Sequence, residues 1–344
     1  MLENSLLDNG VRGADSLVID QSRCLKMRFN KSACTACLDN CRFNALRISD
    51  GVDIRRSACS ACMLCISTCP SGCFDIKAMD FHYLIARLRR IGHSIPMPVL
   101  GCNTRLDLKA HERTFCLGYL SEEHILALSV FLEDGLQINL AGCADCRNGF
   151  IVDILKERIG IVANKSHLLP TEKIILVENV ALLNYQDISC DRRSFFRTMK
   201  NFTFLQAARS LKGNVSGDIT QAYSIKKIPF KRELLNRILG TMSDRERDNL
   251  LRAYYYTIGF EDSCNSCFAC VGMCPTGALK IDRQESGAVL AFNTSLCSGC
   301  GLCEAFCRNS SASVGSGFSG GSPFDFRKVR RNVVFETGRQ ENEF

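Results

Sequence analysis

Cysteine is the residue whose pattern here implies chemistry. It recurs as Cys264-x2-Cys267-x2-Cys270-x3-Cys274-Pro275 and again as Cys297-x2-Cys300-x2-Cys303-x3-Cys307. With this spacing three thiolates of a run grip one [4Fe–4S] cluster, and the fourth crosses to a neighbouring one. Two intervening residues let a looped backbone wrap sulfurs around three iron corners, and the longer step sends the last sulfur away. Pro275 fixes its own φ and removes an amide donor at the bend. The spacing therefore assigns Cys264, Cys267, Cys270 and Cys307 to one cubane, and Cys297, Cys300, Cys303 and Cys274 to the other. A zinc ribbon fits less well, because zinc sites pair two CxxC units across a spacer instead of using four cysteines in one run.

A second set lies near the start of the chain. Cys59-x2-Cys62-x2-Cys65-x3-Cys69-Pro70 is complete, but Cys34, Cys37 and Cys41 lack a leading cysteine, since Lys31 stands where it would fall. Cys24 is the upstream candidate, and using it enlarges the ligand loop through Leu25 to Ala33. The crossed arrangement then gives Cys24, Cys34, Cys37 and Cys69 to one cluster, and Cys59, Cys62, Cys65 and Cys41 to another. A three-iron cluster is the alternative if Cys24 does not ligate.

The stretch from 264 to 307 resembles the bacterial dicluster ferredoxins, on Cys-Pro-Thr-Gly-Ala-Leu at 274–279 and Cys-Ser-Gly-Cys-Gly-Leu-Cys at 297–303. The resemblance implies a small ferredoxin-like fold and single-electron transfer. The two ends of the chain also repeat one another. Ala45-Leu46-Arg47-Ile48 and Gly51-Val52-Asp53-Ile54 follow Cys41, as Ala278-Leu279-Lys280-Ile281 and Gly287-Ala288-Val289-Leu290 follow Cys274, each reading as strand, turn and return strand. Arg42 and Arg308 stand where the family has proline. The family often closes with a further strand after its last cysteine. Here the serine- and glycine-rich run after Cys307 predicts a mobile tail over 310–344 instead.

Between the ends the pattern changes. Phe81, Leu84, Ile85, Leu88 and Ile91 fall at helical spacing before Gly92. Strands are expected at Met97–Leu100, Thr114–Leu120, Leu136–Leu140 and Ile174–Val177, and helices from Ser121 to Asp134 and from Phe150 to Ile159. Alternating strands and helices imply a mostly parallel sheet, whose sites form at the carboxyl ends of strands. Cys102, Cys143 and Cys146 follow strands there, and Cys116 is placed near the same edge. The quartet suits structural zinc, an iron–sulfur centre such as [2Fe–2S], a redox dithiol at Cys143 and Cys146 activated by a helix N-terminus, or four unligated thiols. Cys73 and Cys190 read as buried free cysteines.

Further helices are expected after Asp191 and from Pro229 and Ser243, with a strand over Tyr254–Phe260. The fold class is thus a multidomain α+β and α/β chain, with two ferredoxin-like dicluster modules flanking a small α/β domain. The expected parts are 1–77, 78–183, a basic helical connection over 184–253, 254–309, and the tail.

Composition limits the remaining choices. Twenty-two cysteines without an apolar leader in Met1–Gly10 favour reduced thiols in a cytoplasmic setting over a disulfide scaffold. The formal charge of +7 counts thiols as neutral. Four oxidised cubanes with their thiolates would add roughly −8 and bring the loaded protein near neutrality, so nucleic acid is not an expected partner. No membrane span and no nucleotide cofactor are expected. His82, His93, His111, His124 and His167 read as surface or packing residues. The expected role is an electron carrier with up to four [4Fe–4S] clusters, serving a larger redox partner protein. The alternative is an oxidoreductase subunit whose middle cysteines do metal or dithiol chemistry.

Overall fold

The computed structural model describes residues 13–77, 79–165, 173–187, 223–284 and 287–329. The N-terminal region runs β1 (Leu17–Ile19), α1 (Leu25–Arg28), α2 (Ala36–Asp39), β2 (Leu46–Ile48), β3 (Val52–Ile54), α3 (Leu64–Thr68) and β4 (Phe74–Ile76). Both ends of this segment are tied together, because β1 and β4 pair antiparallel from Leu17 opposite Ile76 to Ile19 opposite Phe74. The expected hairpin over 45–54 is present, with Leu46 opposite Ile54.

Next comes α4 (Phe81–Gly92), which buries Phe81, Leu84, Ile85 and Leu88, the stripe that its spacing predicts. Asp80 caps it by accepting from the Tyr83 amide at 3.2 Å. The middle region is β5 (Val99–Cys102), β6 (Glu112–Thr114), α5 (Glu122–Phe131), β7 (Leu136–Asn139), α6 (Ile151–Lys165) and β8 (Ile174–Val177). These strands form one parallel four-stranded sheet in the order β6-β5-β7-β8. One expectation is corrected: the strand placed over Thr114–Leu120 ends at Thr114, and Leu117–Tyr119 is a 3-10 turn. The buried Gly118 sits against the backbone carbonyl of Cys62, a contact that an outer edge strand would not make.

Ile125 to Ser129 of α5 are buried without interruption, as expected of a helix covered on all sides. Sheet, α6 and α7 (Phe230–Leu239) enclose it, and Leu234, Leu235, Ile238 and Leu239 of α7 point inward as their spacing predicts. Ser243 opens α8 (Asp244–Tyr254) through a reciprocal capping box with Glu246. The hydrophobic core crosses the expected domain boundaries. One cluster takes in Leu17, Met63 and Leu64 from the N-terminal region, Leu100, Leu126 and Ile138 from the middle, and Leu235 and Leu250 beyond it. Each fully buried Leu or Ile contributes roughly 1.5–3 kcal/mol by leaving water.

The C-terminal region follows as β9 (Tyr256–Phe260), α9 (Ala269–Met273), β10 (Leu279–Gln284), β11 (Gly287–Phe292), α10 (Leu302–Ala305), β12 (Ala312–Ser316) and β13 (Arg327–Lys328). The tail expected to be mobile from residue 310 instead supplies the closing strand. β12 pairs antiparallel with β9, Ala312 opposite Phe260, and β13 extends the β10–β11 hairpin. Backbone pairing supplies the order that side-chain burial does not. Cys190, His167, the expected helix after Asp191 and residues 330–344 lie outside the described residues. Among the described residues no helix is long and apolar enough to cross a membrane.

Candidate metal centres

The cysteine runs are built from a repeated set of left-handed residues. In the complete runs the residues just before and just after the second cysteine have positive φ: Ala61 and Met63, Ser266 and Phe268, Gly299 and Gly301. Non-glycine residues enter this region rarely, so its repetition marks a specified turn. The short helices α2, α3, α9 and α10 each start two residues after the corresponding cysteine, at Ala36, Leu64, Ala269 and Leu302. Three residues after each crossing cysteine, at Asn44, Gly72, Gly277 and Ser310, φ is positive again. The incomplete first run shares the helix and the final turn but lacks the left-handed pair, in keeping with its missing leading cysteine.

Small polar groups turn toward the sulfurs. The Ala45 amide donates to Cys41 Sγ at 3.3 Å, the Cys73 amide to Cys69 Sγ at 3.2 Å, and the Gly299 amide to Cys297 Sγ at 3.5 Å. Ser71, Thr276 and Ser311 hydroxyls lie 3.6, 3.5 and 3.2 Å from the sulfurs of Cys69, Cys274 and Cys307.

Electrostatics tell which thiols are neighbours. Burial pushes Cys37 up to about 12, reinforced by Cys69, Cys24 and Cys34. Burial likewise raises Cys65 well above the ordinary thiol value, with Cys62, Cys59, Cys37 and Cys41 adding to it. Cys270 is pushed up to about 11 by burial, with Cys267 and Cys307 beside it. Burial raises Cys303 too, together with Cys300, Cys297 and Cys274. Each of these thiols feels others from its own expected run or from the run paired with it, and Cys37 also acts on Cys65 across the expected groups. Buried thiols that raise one another resist ionisation until cations arrive, and metal coordination deprotonates a thiol outright. The donor set therefore fits a polynuclear cluster. A partly open cavity is lined by Cys37, Cys41, Cys59, Cys62 and Cys65, with Met63 and Leu64 among its apolar walls. No three His, Cys, Asp or Glu side chains among the described residues converge as a single ion requires.

Cys73 is the residue whose position the sequence reading undervalued. It is buried, as expected, but its thiol is hydrogen-bonded to that of Cys24, and this hydrogen bond is the leading cause that lowers Cys24 to about 6 and raises Cys73. The signal was available by superposing the runs. Four residues after the crossing cysteine come Ala45, Cys73, Ala278 and Ser311, all small and buried. The Asp20 amide donates to the Cys73 carbonyl and the Glu261 amide to that of Ser311, at 2.8 and 2.9 Å, so the two closing strands are matched as well.

The middle quartet is drawn to one sheet edge. Cys116 is pushed up to about 12 by burial, with Cys102, Cys62 and Cys143 near it. Burial raises Cys143 to about 11, with Cys146 and Cys102 near it, so the lowered thiol expected of a helix-activated dithiol is not found. Its cause is absent too: α6 begins at Ile151, beyond a series of turns after Cys146. Asn148 donates from Nδ2 to the Ser60 carbonyl at 3.0 Å and lies 3.7 Å from Cys116 Sγ, joining this edge to the Cys59–Cys65 loop. Arg147 adds a bond to the Ala58 carbonyl at 3.3 Å and covers the Phe43 ring.

The remaining expected groups find other uses. His111 Nδ1 accepts from the Val99 amide at 2.8 Å, while His124 is buried beside Phe81 and lowered to about 3 by that burial. Gly315-Ser316-Gly317-Phe318-Ser319-Gly320 spells the glycine string of dinucleotide sites, which the sequence reading passed over. It begins within an antiparallel strand and opens no helix, so it lacks the strand-to-helix context which gives that string its function.

The family model of the 4Fe-4S dicluster domain matches residues 263–310. No curated protein and no solved structure matches the chain. One ferredoxin-like domain is therefore present at the C-terminal end, and with the other cysteines it points to iron–sulfur electron transfer.

Proposed function

We propose that this chain carries single electrons through four [4Fe–4S] clusters between a partner oxidoreductase and another carrier, in the cytoplasm. The clusters are those of Cys24, Cys34, Cys37 and Cys69; Cys41, Cys59, Cys62 and Cys65; Cys264, Cys267, Cys270 and Cys307; and Cys274, Cys297, Cys300 and Cys303. The observation that carries this reading is the final left-handed turn, repeated after Cys41, Cys69, Cys274 and Cys307 although the family model matches only the last two runs. When bound, such a cubane supplies one-electron redox chemistry near a tuned potential. The chain's part is to hold the thiolates, offer amides and hydroxyls to their sulfurs, and exclude water with Met63, Leu64 and Leu302, which are buried. Cys267 is exposed, which makes its loop the natural contact for a redox partner.

Anaerobic iron and sulfide analysis tests the reading, joined to electron paramagnetic resonance of dithionite-reduced protein. About sixteen irons per chain and fast-relaxing cubane signals are expected. A preparation with eight irons would limit the function to the C-terminal domain, and a colourless one would end it.

A second reading is favoured by Cys116 lying beside Cys62. The middle quartet then holds a fifth centre, zinc or iron–sulfur, and the chain is an oxidoreductase subunit fed by the clusters. Zinc or iron beyond sixteen, lost in Cys116→Ala, is its signature.

A further inference from the structure

The enlarged loop between Cys24 and Cys34 is the one place where the cysteine pattern departs from its repeat, and it is also where the two ends of the chain meet. Phe29 from this loop packs edge-on against Phe306, with ring centroids 5.1 Å apart. Phe306 precedes the crossing Cys307, so an inserted residue of one end touches the ligand run of the other.

Arg28 is next to it, at the end of α1. Its guanidinium is half-buried and lies over the Tyr223 ring at 5.7 Å. Burial weighs against its charge, and Cys274, then Tyr223, Asp20 and Cys300, act electrostatically in the opposite direction. Arg28 Nε is fully buried and finds no acceptor among the described residues. A buried donor on a cation costs free energy unless something negative accepts from it. The thiols that act on it, Cys274 and Cys300, both belong to the Cys274, Cys297, Cys300 and Cys303 group.

The short segment before α7 reinforces this junction from both sides. Lys226 Nζ donates to the Gly272 and Cys274 carbonyls at 2.7 Å each. The Lys227 amide donates to the Pro275 carbonyl at 3.0 Å, while its ammonium pairs with Asp20 at 3.0 Å. Arg23 donates to the Ser71 carbonyl at 2.9 Å and to the Lys227 carbonyl at 3.4 Å. The two Cys-Pro corners, Cys69-Pro70 and Cys274-Pro275, thus meet the same strap, and the Cys24 and Cys274 groups are neighbours across it.

We infer that Arg28, carried on the enlarged loop of the first cysteine run, is the positioning residue that donates from Nε to the cluster held by Cys274, Cys297, Cys300 and Cys303 and raises its reduction potential. The inference rests on the four-cluster reading. One-electron reduction adds one negative charge at that site, and a fixed buried cation favours the more negative state. No proton or bond change is required. The loop insertion thereby makes the potential of one end depend on a residue from the other.

The test is a redox titration of the full, cluster-loaded chain followed by electron paramagnetic resonance, comparing wild type with Arg28→Gln and Arg28→Lys. The signal of interest is identified as the one lost in Cys303→Ala. In Arg28→Gln its reduction should become about tenfold less favourable, which is about 59 mV for one electron. The other midpoints should stay within threefold. Arg28→Lys, which keeps the charge, should recover part of the shift. Iron content equal to wild type in both variants shows that folding is intact, and Lys226→Gln gives a smaller shift of the same signal should Arg28→Gln fold poorly. Unmoved midpoints at full iron content overturn this inference alone. Equal shifts in Arg28→Gln and Arg28→Lys also overturn it, since packing and not charge would be the cause. Wild type without four clusters overturns the parent reading together with this one.

Discussion

The two cysteine-rich ends share their closing strands and final turns but differ in what holds them. At the C-terminal end the buried cluster is small, formed by Cys274, Ala278, Leu279, Leu290 and Phe292. At the N-terminal end Leu17, Met63 and Leu64 join the large core of the sheet and α7. Asn148, Arg147 and Gly118 then fasten the Cys59–Cys65 loop to the middle sheet. The lesson is that one turn geometry can be stabilised in two ways, by metal where the apolar core is slight and by a neighbouring domain where it is large.

Breaking one ligand at each end gives the largest contrast. Cys270→Ala should lose about four irons and also the fold of residues 263–310, because binding energy and folding energy are coupled there. Cys65→Ala should lose a similar amount of iron while β1–β4 pairing persists. Iron analysis with limited proteolysis separates the outcomes, and equal protease sensitivity at both ends would erase the contrast.

A smaller effect should come from Gly118→Ala. A Cβ there collides with the Cys62 carbonyl and lies 2.7 Å from the Ile151 side chain. The carbonyl belongs to a ligand loop and cannot swing away, so overpacking should cost about 1–3 kcal/mol. Thermal unfolding measures it, and iron loss should begin at the N-terminal end.

Cys73→Ala should be the mildest change, at most about 1 kcal/mol, since the equivalent positions are Ala45 and Ala278. Full iron with a moved midpoint would mark Cys73 as a hydrogen-bonding neighbour of Cys24. Iron loss would instead make it a ligand, and the two ends would then differ in cluster ligation itself.

Several features were legible in the sequence because they depend on local spacing. The Cys-x2-Cys-x2-Cys runs are local in this way, and the αL residues that shape them became visible only in the structure. The stripe of α4 and the inward face of α7 follow from helical period. The strand expected at Thr114–Leu120 failed because its apolar run is buried by a partner loop, and apolar content alone does not distinguish a covered 3-10 turn from a strand. The tail failed for the opposite reason: Ala312–Ser316 has little to bury, and its order comes from the backbone of β9. The helix-activated dithiol failed because the helix starts at Ile151, as its spacing predicts within one residue, too far beyond Cys146 for its N-terminus to act on the thiols.

By itself the chain of residues determined which thiols form runs and that the C-terminal stretch is a dicluster domain. These depend on steps of two and three residues, over which the backbone has few choices. Only the tertiary structure decided that Cys24 meets Cys73, that Cys116 lies beside Cys62, and that Phe29 packs on Phe306. Those contacts join residues separated by tens to hundreds of positions, and they are set by a shared core and strap that no local spacing encodes.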